Sequence, residues 1–268
     1  MTAREVAHVV VAAGGLGTRV QPWSRFLPKE FYPVDGRPGI VHLLTEIAAL
    51  QPVKVVIVYH PYYEPFITWA KHVLHPGAIA RYQPGNSLVI SEPAIPEVAL
   101  EFIPQRGPYA DVTSVLNGAA RLPTGPLFLA FADNLYPGSA PLLDLAAIAP
   151  GTVAVLGRPF DLNESAHRGV IICHTTGGQL TMAGLVEKPS LAQAAGLIGK
   201  YGIDNLRLLE GRARLTAGFI THLKTTTTPP GATRVEPKLS RTLAHYSRRH
   251  KVEVITTTAS ITDLGAPR

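Results

Sequence analysis

Ala12-Ala13-Gly14-Gly15-Leu16-Gly17-Thr18-Arg19 follows directly on the apolar run Val6–Val11, and the reading of the chain turns on this stretch. A short run of successive apolar residues behaves as a strand covered on both faces. Three glycines behind it let the backbone turn sharply and approach a ligand without Cβ interference. Their N–H groups can line a concave anion site, and Arg19 adds a planar fork suited to phosphate oxygens. Further on, Leu27-Pro28-Lys29-Glu30 puts a lysine where the chain could fold back over the loop. A Walker A loop needs Gly-x4-Gly-Lys before Ser or Thr, and no such string occurs. A dinucleotide site wants a third glycine where Val20 stands, and an acidic residue about 20 positions on. A tight strand-to-helix turn with no ligand accounts for the glycines but not for Arg19 and Lys29.

Outward from the loop, apolar runs recur at Val53–Tyr59, Leu127–Ala132, Thr152–Leu156, Val170–Cys173, Leu180–Val186 and Val252–Thr256. Helical stripes lie between them. Ile40, Leu43, Leu44, Ile47 and Ala48 share one face, as do Val112, Val115, Leu116, Ala119 and Ala120, and Leu239–Tyr246 reads as a third, amphipathic helix. Alternating strands and helices predict an α/β fold with a mostly parallel sheet, extended by later antiparallel strands on short glycine turns. Thr225–Thr228 with Pro229-Pro230-Gly231 reads as an exposed loop. With no linker and no internal repeat, one domain over residues 1–268 is expected.

Composition narrows the class. With 46% hydrophobic and only 16% charged residues among 268, the chain is not intrinsically disordered. Its 24 Gly and 24 Pro follow no period, which excludes collagen. The single Cys173 excludes a disulfide framework and a thiolate metal cage, and fits a reducing, cytoplasmic compartment. No apolar run is long enough to span a bilayer, so no membrane partner is expected. The net charge of +6 calls for an anionic partner. Its densest basic run, Arg248-Arg249-His250-Lys251, reads as a solvated helix end, and zinc-finger and RNA-binding signatures are absent, so nucleic acid is not expected.

Acid groups punctuate the strand ends. Leu127–Ala132 stops at Asp133-Asn134, where a carboxylate either turns the chain or holds a hard cation against phosphate oxygens. Glu187-Lys188-Pro189 ends another strand; a carboxylate accepts from hydroxyl donors and an ammonium neutralises phosphate, unless both are surface charges. Asp263, near the C-terminus, reads from local sequence alone as part of a tail.

Gly15-Leu16-Gly17-Thr18-Arg19, the eight residues Val20–Leu27 and then Pro28-Lys29 together resemble the signature of the sugar nucleotidyltransferases. Glu30-Phe31-Tyr32-Pro33-Val34 is similar to the bacterial UTP–glucose-1-phosphate uridylyltransferase branch, whereas Ala13-Gly14-Gly15 is nearer the thymidylyl and guanylyl branches. Ile261-Thr262-Asp263-Leu264-Gly265-Ala266-Pro267 resembles the family's Asp-x-Gly-x-Pro segment, and Glu187-Lys188-Pro189 its Glu-Lys-Pro motif. His167-Arg168-Gly169-Val170 resembles a Tyr-Gly-Val step in which Arg168 stands for the usual Tyr. Leu215–Ile220 resembles the strand closing the sugar pocket.

The resemblance implies a single Rossmann-like nucleotidyltransferase domain with a mostly parallel mixed central sheet flanked by helices. It implies joining an NTP, with UTP favoured, to a sugar 1-phosphate, with glucose 1-phosphate favoured. Arg19, Lys29 and Lys188 would be catalytic; Ala13, Gly14, Gly15, Leu16, Gly17, Thr18, Gln105 and Gly107 would bind the nucleotide. Gly169, Glu187 and Lys188 would hold the sugar phosphate, and Asp133 and Asp263 a Mg2+ ion. Gln105 can read a pyrimidine edge with its amide, although Tyr109 and Asp111 add bulk to that turn. A homo-oligomer is a further expectation, although the C-terminal helices that many relatives carry do not appear before Arg268. Arg168 and the Gln105–Asp111 turn keep a second reading open, a cytidylyl- or thymidylyltransferase acting on an unusual sugar, cyclitol or non-sugar phosphate. A silent nucleotide-sugar-binding homologue is a third.

Overall fold

The computed structural model describes residues 5–74, 96, 98–227 and 237–266. In chain order the elements are β1 (Ala7–Ala13), β2 (Pro33–Val34), β3 (Arg37–Pro38), α1 (Gly39–Ala48), β4 (Val53–Tyr59), α2 (Glu64–Val73) and β5 (Ala99–Pro104). Then come α3 (Asp111–Ala119), β6 (Leu127–Phe131), β7 (Asn134–Leu135), α4 (Pro141–Ala146), β8 (Val153–Pro159), α5 (Leu162–Ser165), β9 (Gly169–Thr176) and β10 (Gln179–Glu187). The remainder is α6 (Leu191–Tyr201), β11 (Leu206–Leu215), α7 (Ala217–Thr227), α8 (Leu239–Tyr246), β12 (Val252–Thr256) and β13 (Thr262–Asp263).

Among the described residues nine strands form one sheet in the order β5-β4-β1-β6-β11-β8-β12-β10-β9. The expected mostly parallel arrangement holds only for its first half, where β5, β4, β1 and β6 run parallel. Beyond β6 the pairings are antiparallel except β12 on β8. The cause is β11, which runs against both β6 and β8 and whose first residues also pair with β9. Its stretch Glu210–Arg214 carries buried charges that do not read as a strand; local sequence had suggested no strand there, nor at β5.

Successive residues of the central strands point to opposite, equally covered faces. Val10, Val56 and Leu129 pack with Val112, Val115, Phe219 and Leu243 of α3, α7 and α8. Val9, Val11, Val55 and Ile57 pack with Ile40, Leu44, Ile47 and Leu142 of α1 and α4. This sandwiching is why the strands carry unbroken apolar runs.

Two expectations from sequence fail. Leu215–Ile220 is not a strand: β11 ends at Leu215, and the spacing of buried Phe219, Ile220 and Leu223 belongs to helix α7. Thr225–Thr227, expected in a loop, form the last residues of that helix, and residues 228–231 lie outside those described. The helix expected at Leu239–Tyr246 forms over that range, with the exposed basic run just beyond it. No described helix is long and apolar enough to cross a membrane.

What positions the site is the connection order. From β1 the chain moves to β4 and β5 on one side, then returns to place β6 on the other side of β1. Strand order therefore reverses between β1 and β6, and ligands of open α/β sheets bind outside the carboxyl ends of strands at such a point. The glycine loop leaves β1 there and Asp133 follows β6 there.

Candidate active site

The glycine loop is fixed from beneath. Gly17 has φ 59°, a left-handed conformation that a side chain would strain, and it opens a 3-10 turn over Thr18–Val20. Ser24 Oγ donates to Gly17 O at 2.8 Å, while the buried Tyr63 hydroxyl bridges the carbonyls of Leu16 and Ser24 at 3.2 and 2.6 Å. Neither Ser24 nor Tyr63 stood out in the sequence, because their partners are carbonyls brought close only by folding. Gly14 packs under Gln105 and Ser114, so that a Cβ there would meet Ser114 Oγ at 2.9 Å. Ala13 is buried at the end of β1, and Thr18 and Arg19 are exposed.

Lys29 folds back over this loop as its spacing suggested: a Cβ on Gly15 would lie 3.3 Å from Lys29 Cε. The ammonium hydrogen-bonds Asp133 and stands 3.4 Å from Glu30, with Lys29 and Glu30 both buried. Burial opposes the charge on Lys29, but the two carboxylates more than offset it and hold the ammonium above the ordinary lysine range. Burial likewise works against the Asp133 carboxylate, yet Lys29 and, to a smaller extent, Arg19 pull it below the usual range.

Asp263 is no frayed tail. It lies in β13, paired antiparallel with Asn134 of β7, and Leu264 N donates to Asp133 O at 2.8 Å. That ribbon sets the two aspartates side by side. A Cβ on Gly265 would come within 3.0 Å of Arg19 Nη2, 3.1 Å of Asp263 Oδ1 and 3.4 Å of Asp133 Oδ2. Glycine at 265 therefore leaves open a small space ringed by one guanidinium and two carboxylates. Gly265→Ala is expected to lower kcat/KM about tenfold or more in a pyrophosphate-release assay while moving Tm by less than about 2 °C.

Two cavities flank this junction. One of about 150 Å3 is lined by Gly14, Gly15, Lys29, Gln105, Tyr109 and Asp133 among others. A wider one of about 710 Å3 is lined by Arg19, Arg158, Glu164, Arg168 and Asp263 among others. Within the first, Gln105 has its amide engaged: Oε1 accepts from Ser114 Oγ at 2.6 Å and Nε2 donates to Pro108 O at 3.3 Å. Tyr109 leans across to the glycine loop, its hydroxyl accepting from Leu16 N at 3.3 Å. Gly107, with φ 113°, shapes that turn.

The Glu-Lys-Pro segment sits apart from both linings. Glu187 pairs in register with Gly169 across β10 and β9 and forms an ion pair with Lys238 at 3.6 Å. Lys188 is exposed, takes a left-handed φ of 45°, and its N–H donates to Arg168 O at 3.1 Å. Backbone thus ties this segment to the wall of the wider cavity.

Asp133 and Asp263 offer hard oxygen donors side by side. Among the described residues no group of three or more His, Cys, Asp or Glu side chains converges on one point. Two carboxylates with the remaining positions left to phosphate oxygens and water is a donor set that suits Mg2+.

In solved structures the same arrangement of elements recurs. A UDP-glucose pyrophosphorylase complexed with UDP-glucose superposes at a TM-score of 0.71, with 20% identity over 98% of this chain and 94% of that one. This chain has the sugar-phosphate nucleotidyltransferase fold. The inositol-1-phosphate CTP transferase of T. maritima shares that fold at a TM-score of 0.67 and 15% identity, over 98% of this chain and 90% of its own. In sequence, 53 residues are 42% identical to the bifunctional protein GlmU of Paramagnetospirillum magneticum, a match covering 20% of this chain and 11% of that protein. No family model matches the chain. On this nucleotidyltransferase fold the structure brings Arg19, Lys29, Asp133, Asp263 and the glycine loop to one junction, while Glu187 and Lys188 lie outside both cavity linings.

Proposed function

We propose that this chain, as one domain over residues 1–268, joins an NTP to a sugar 1-phosphate and releases pyrophosphate. The observation that carries the reading is a pair of cavities, one lined by Asp133 and the other by Arg19 and Asp263, with those three side chains brought together around Gly265 at the reversal of strand order. A two-substrate transfer needs two such sites with reacting atoms between them. The nucleotide would lie on the glycine loop beside Lys29 and Gln105, its base against the Gln105–Asp111 turn. The acceptor would lie between the wider cavity and the Glu187–Lys188 segment, which Lys188 N–H ties to Arg168 in the cavity wall.

In the transfer, a phosphate oxygen of the acceptor forms a bond to the α-phosphorus while the bond to the β-phosphate bridging oxygen breaks. Pyrophosphate departs with that electron pair. Little covalent work falls to the protein, so alignment and charge neutralisation dominate. Arg19 and Lys29 would neutralise the triphosphate and the departing pyrophosphate. Lys188 would hold the acceptor's phosphate, with Glu187 and the backbone at Gly169 reading sugar hydroxyls. Asp133 and Asp263 would hold Mg2+, which when bound supplies charge neutralisation between the two substrates.

UTP and glucose 1-phosphate are the favoured pair, supported by the Glu30–Val34 segment and by fold neighbours that include UDP-glucose pyrophosphorylases. Arg168 in the wall of the acceptor cavity favours a second reading, transfer of a cytidylyl or thymidylyl group to a less common acceptor. The inositol-1-phosphate CTP transferase shows that the fold accommodates a cyclitol. Each NTP paired with glucose 1-phosphate and inositol 1-phosphate, read as pyrophosphate release, separates the two. UTP with glucose 1-phosphate as the fastest pair supports the first reading; CTP or dTTP with the cyclitol as the fastest overturns it.

A further inference from the structure

The wider cavity is unusual in what lines it. Among its lining residues the guanidiniums of Arg19, Arg158 and Arg168 stand with the carboxylates of Glu164 and Asp263, and the other polar side chains are His167 and Ser260. A pocket for hexose hydroxyls is served by neutral amides, hydroxyls and lone carboxylates, whereas guanidinium forks match planar or tetrahedral anions.

The forks are also held in place. Glu210, whose side chain is fully buried, accepts from Arg158 Nε and from Arg168 Nη1, each at 3.1 Å, and from the Tyr136 hydroxyl at 3.3 Å. Arg168 reaches Glu164 at 3.4 Å through Nε, while its Nη2 extends to Asp263 at 3.3 Å. One edge of this guanidinium is therefore anchored to a buried carboxylate and the other meets an aspartate that lines the cavity. An arriving anion can take Nη2 from Asp263 without disturbing the Glu210 anchor.

We propose that the acceptor carries a second anionic group besides its reacting phosphate, and that Arg168 selects for it. The inference rests on the nucleotidyl-transfer reading but departs from glucose 1-phosphate as its favoured acceptor, taking acidic or doubly phosphorylated sugars and cyclitols in its place. A carboxylate and a second phosphate present the same recognition chemistry, and the experiment tells them apart.

Glucose 1-phosphate, glucuronic acid 1-phosphate and glucose 1,6-bisphosphate are compared as acceptors with each NTP, by pyrophosphate release and by calorimetric binding. One of the two acceptors with a second anionic group is expected to exceed glucose 1-phosphate in kcat/KM by about tenfold or more, and Arg168→Gln to reduce that ratio by a similar factor. Preference for the uronic acid identifies a carboxylate, and preference for the bisphosphate a phosphate. Glucose 1-phosphate used as well as both, or a ratio untouched by Arg168→Gln in a folded variant, overturns the proposal. Should Arg168→Gln fail to fold, the wild-type ratio decides alone. If no pair releases pyrophosphate, the transfer reading has failed, and the Kd values decide the selectivity: about tenfold tighter binding of an acceptor with a second anionic group than of glucose 1-phosphate upholds it, and equal binding ends it.

Discussion

Lys29→Ala is expected to lower turnover by roughly 10²–10³-fold, the cost of removing one preorganised donor from a developing anion. It is also expected to lower Tm, which the sequence did not suggest. Spacing alone puts the lysine over the glycine loop and carries no sign of its burial between two carboxylates. In the structure its side chain is 9% exposed and stands between Asp133 and Glu30. Removing it leaves two carboxylates without their counter-charge, and breaking such a pair costs about 3–5 kcal/mol. Burial already pushes the Glu30 carboxyl above its ordinary range, so the variant would relieve part of the cost by protonating it. Lys29→Ala combined with Glu30→Gln separates the two effects. Tm should recover in the double variant while pyrophosphate release stays low; recovery of both would make the role of Lys29 structural.

Arg212→Met is expected to produce the largest loss of stability, about 3–5 kcal/mol, or roughly 10 °C in Tm for a chain of this size. Arg212 is 1% exposed and forks onto Glu46, with Nε to Oε1 at 3.0 Å and Nη2 to Oε2 at 2.8 Å. Its remaining bonds go to Phe131 O at 3.1 Å, Gly211 O at 2.9 Å and Asn134 O at 2.7 Å. Two of those carbonyls bracket Asp133, so the pair braces the turn that presents the candidate cation ligand. Replacing both partners, Arg212→Met with Glu46→Leu, removes the stranded buried charge and should return most of the Tm. Turnover should remain depressed, since nothing then holds the carbonyls beside Asp133. Calorimetric melting and pyrophosphate release on the same three proteins check both statements.

The same pair shows where the sequence stops being readable. Val53–Tyr59, Val252–Thr256 and Leu239–Tyr246 form the elements expected of them over the same residues, because their apolar pattern is complete in itself. The middle of β11 is different. Glu210, Arg212 and Arg214 are buried there because Arg158, Arg168, Glu46 and the Ile148 carbonyl come from distant elements to pair with them. No local pattern distinguishes such charges from a solvated turn.

The site divides in the same way. Arg19, Lys29 and Asp133 were legible because fixed spacing and a strand end carry them. Asp263 depended on resemblance, and its place beside Asp133 comes from a two-residue ribbon too short to read. Ser24, Tyr63, Glu46, Arg158 and Glu210 support the site through contacts between remote parts of the chain, and only the fold reveals them.

The central claim is that the junction of Asp133 and Asp263 carries a cation-assisted nucleotidyl transfer. Pyrophosphate release by the wild-type chain with NTP, sugar phosphate and Mg2+, set against Asp133→Asn and against wild type in excess chelator, tests it most directly. Release by the wild type and a fall of about 10²-fold or more in both controls are expected. Release that persists in Asp133→Asn and in chelator, or no release from any NTP in the wild type, would contradict it.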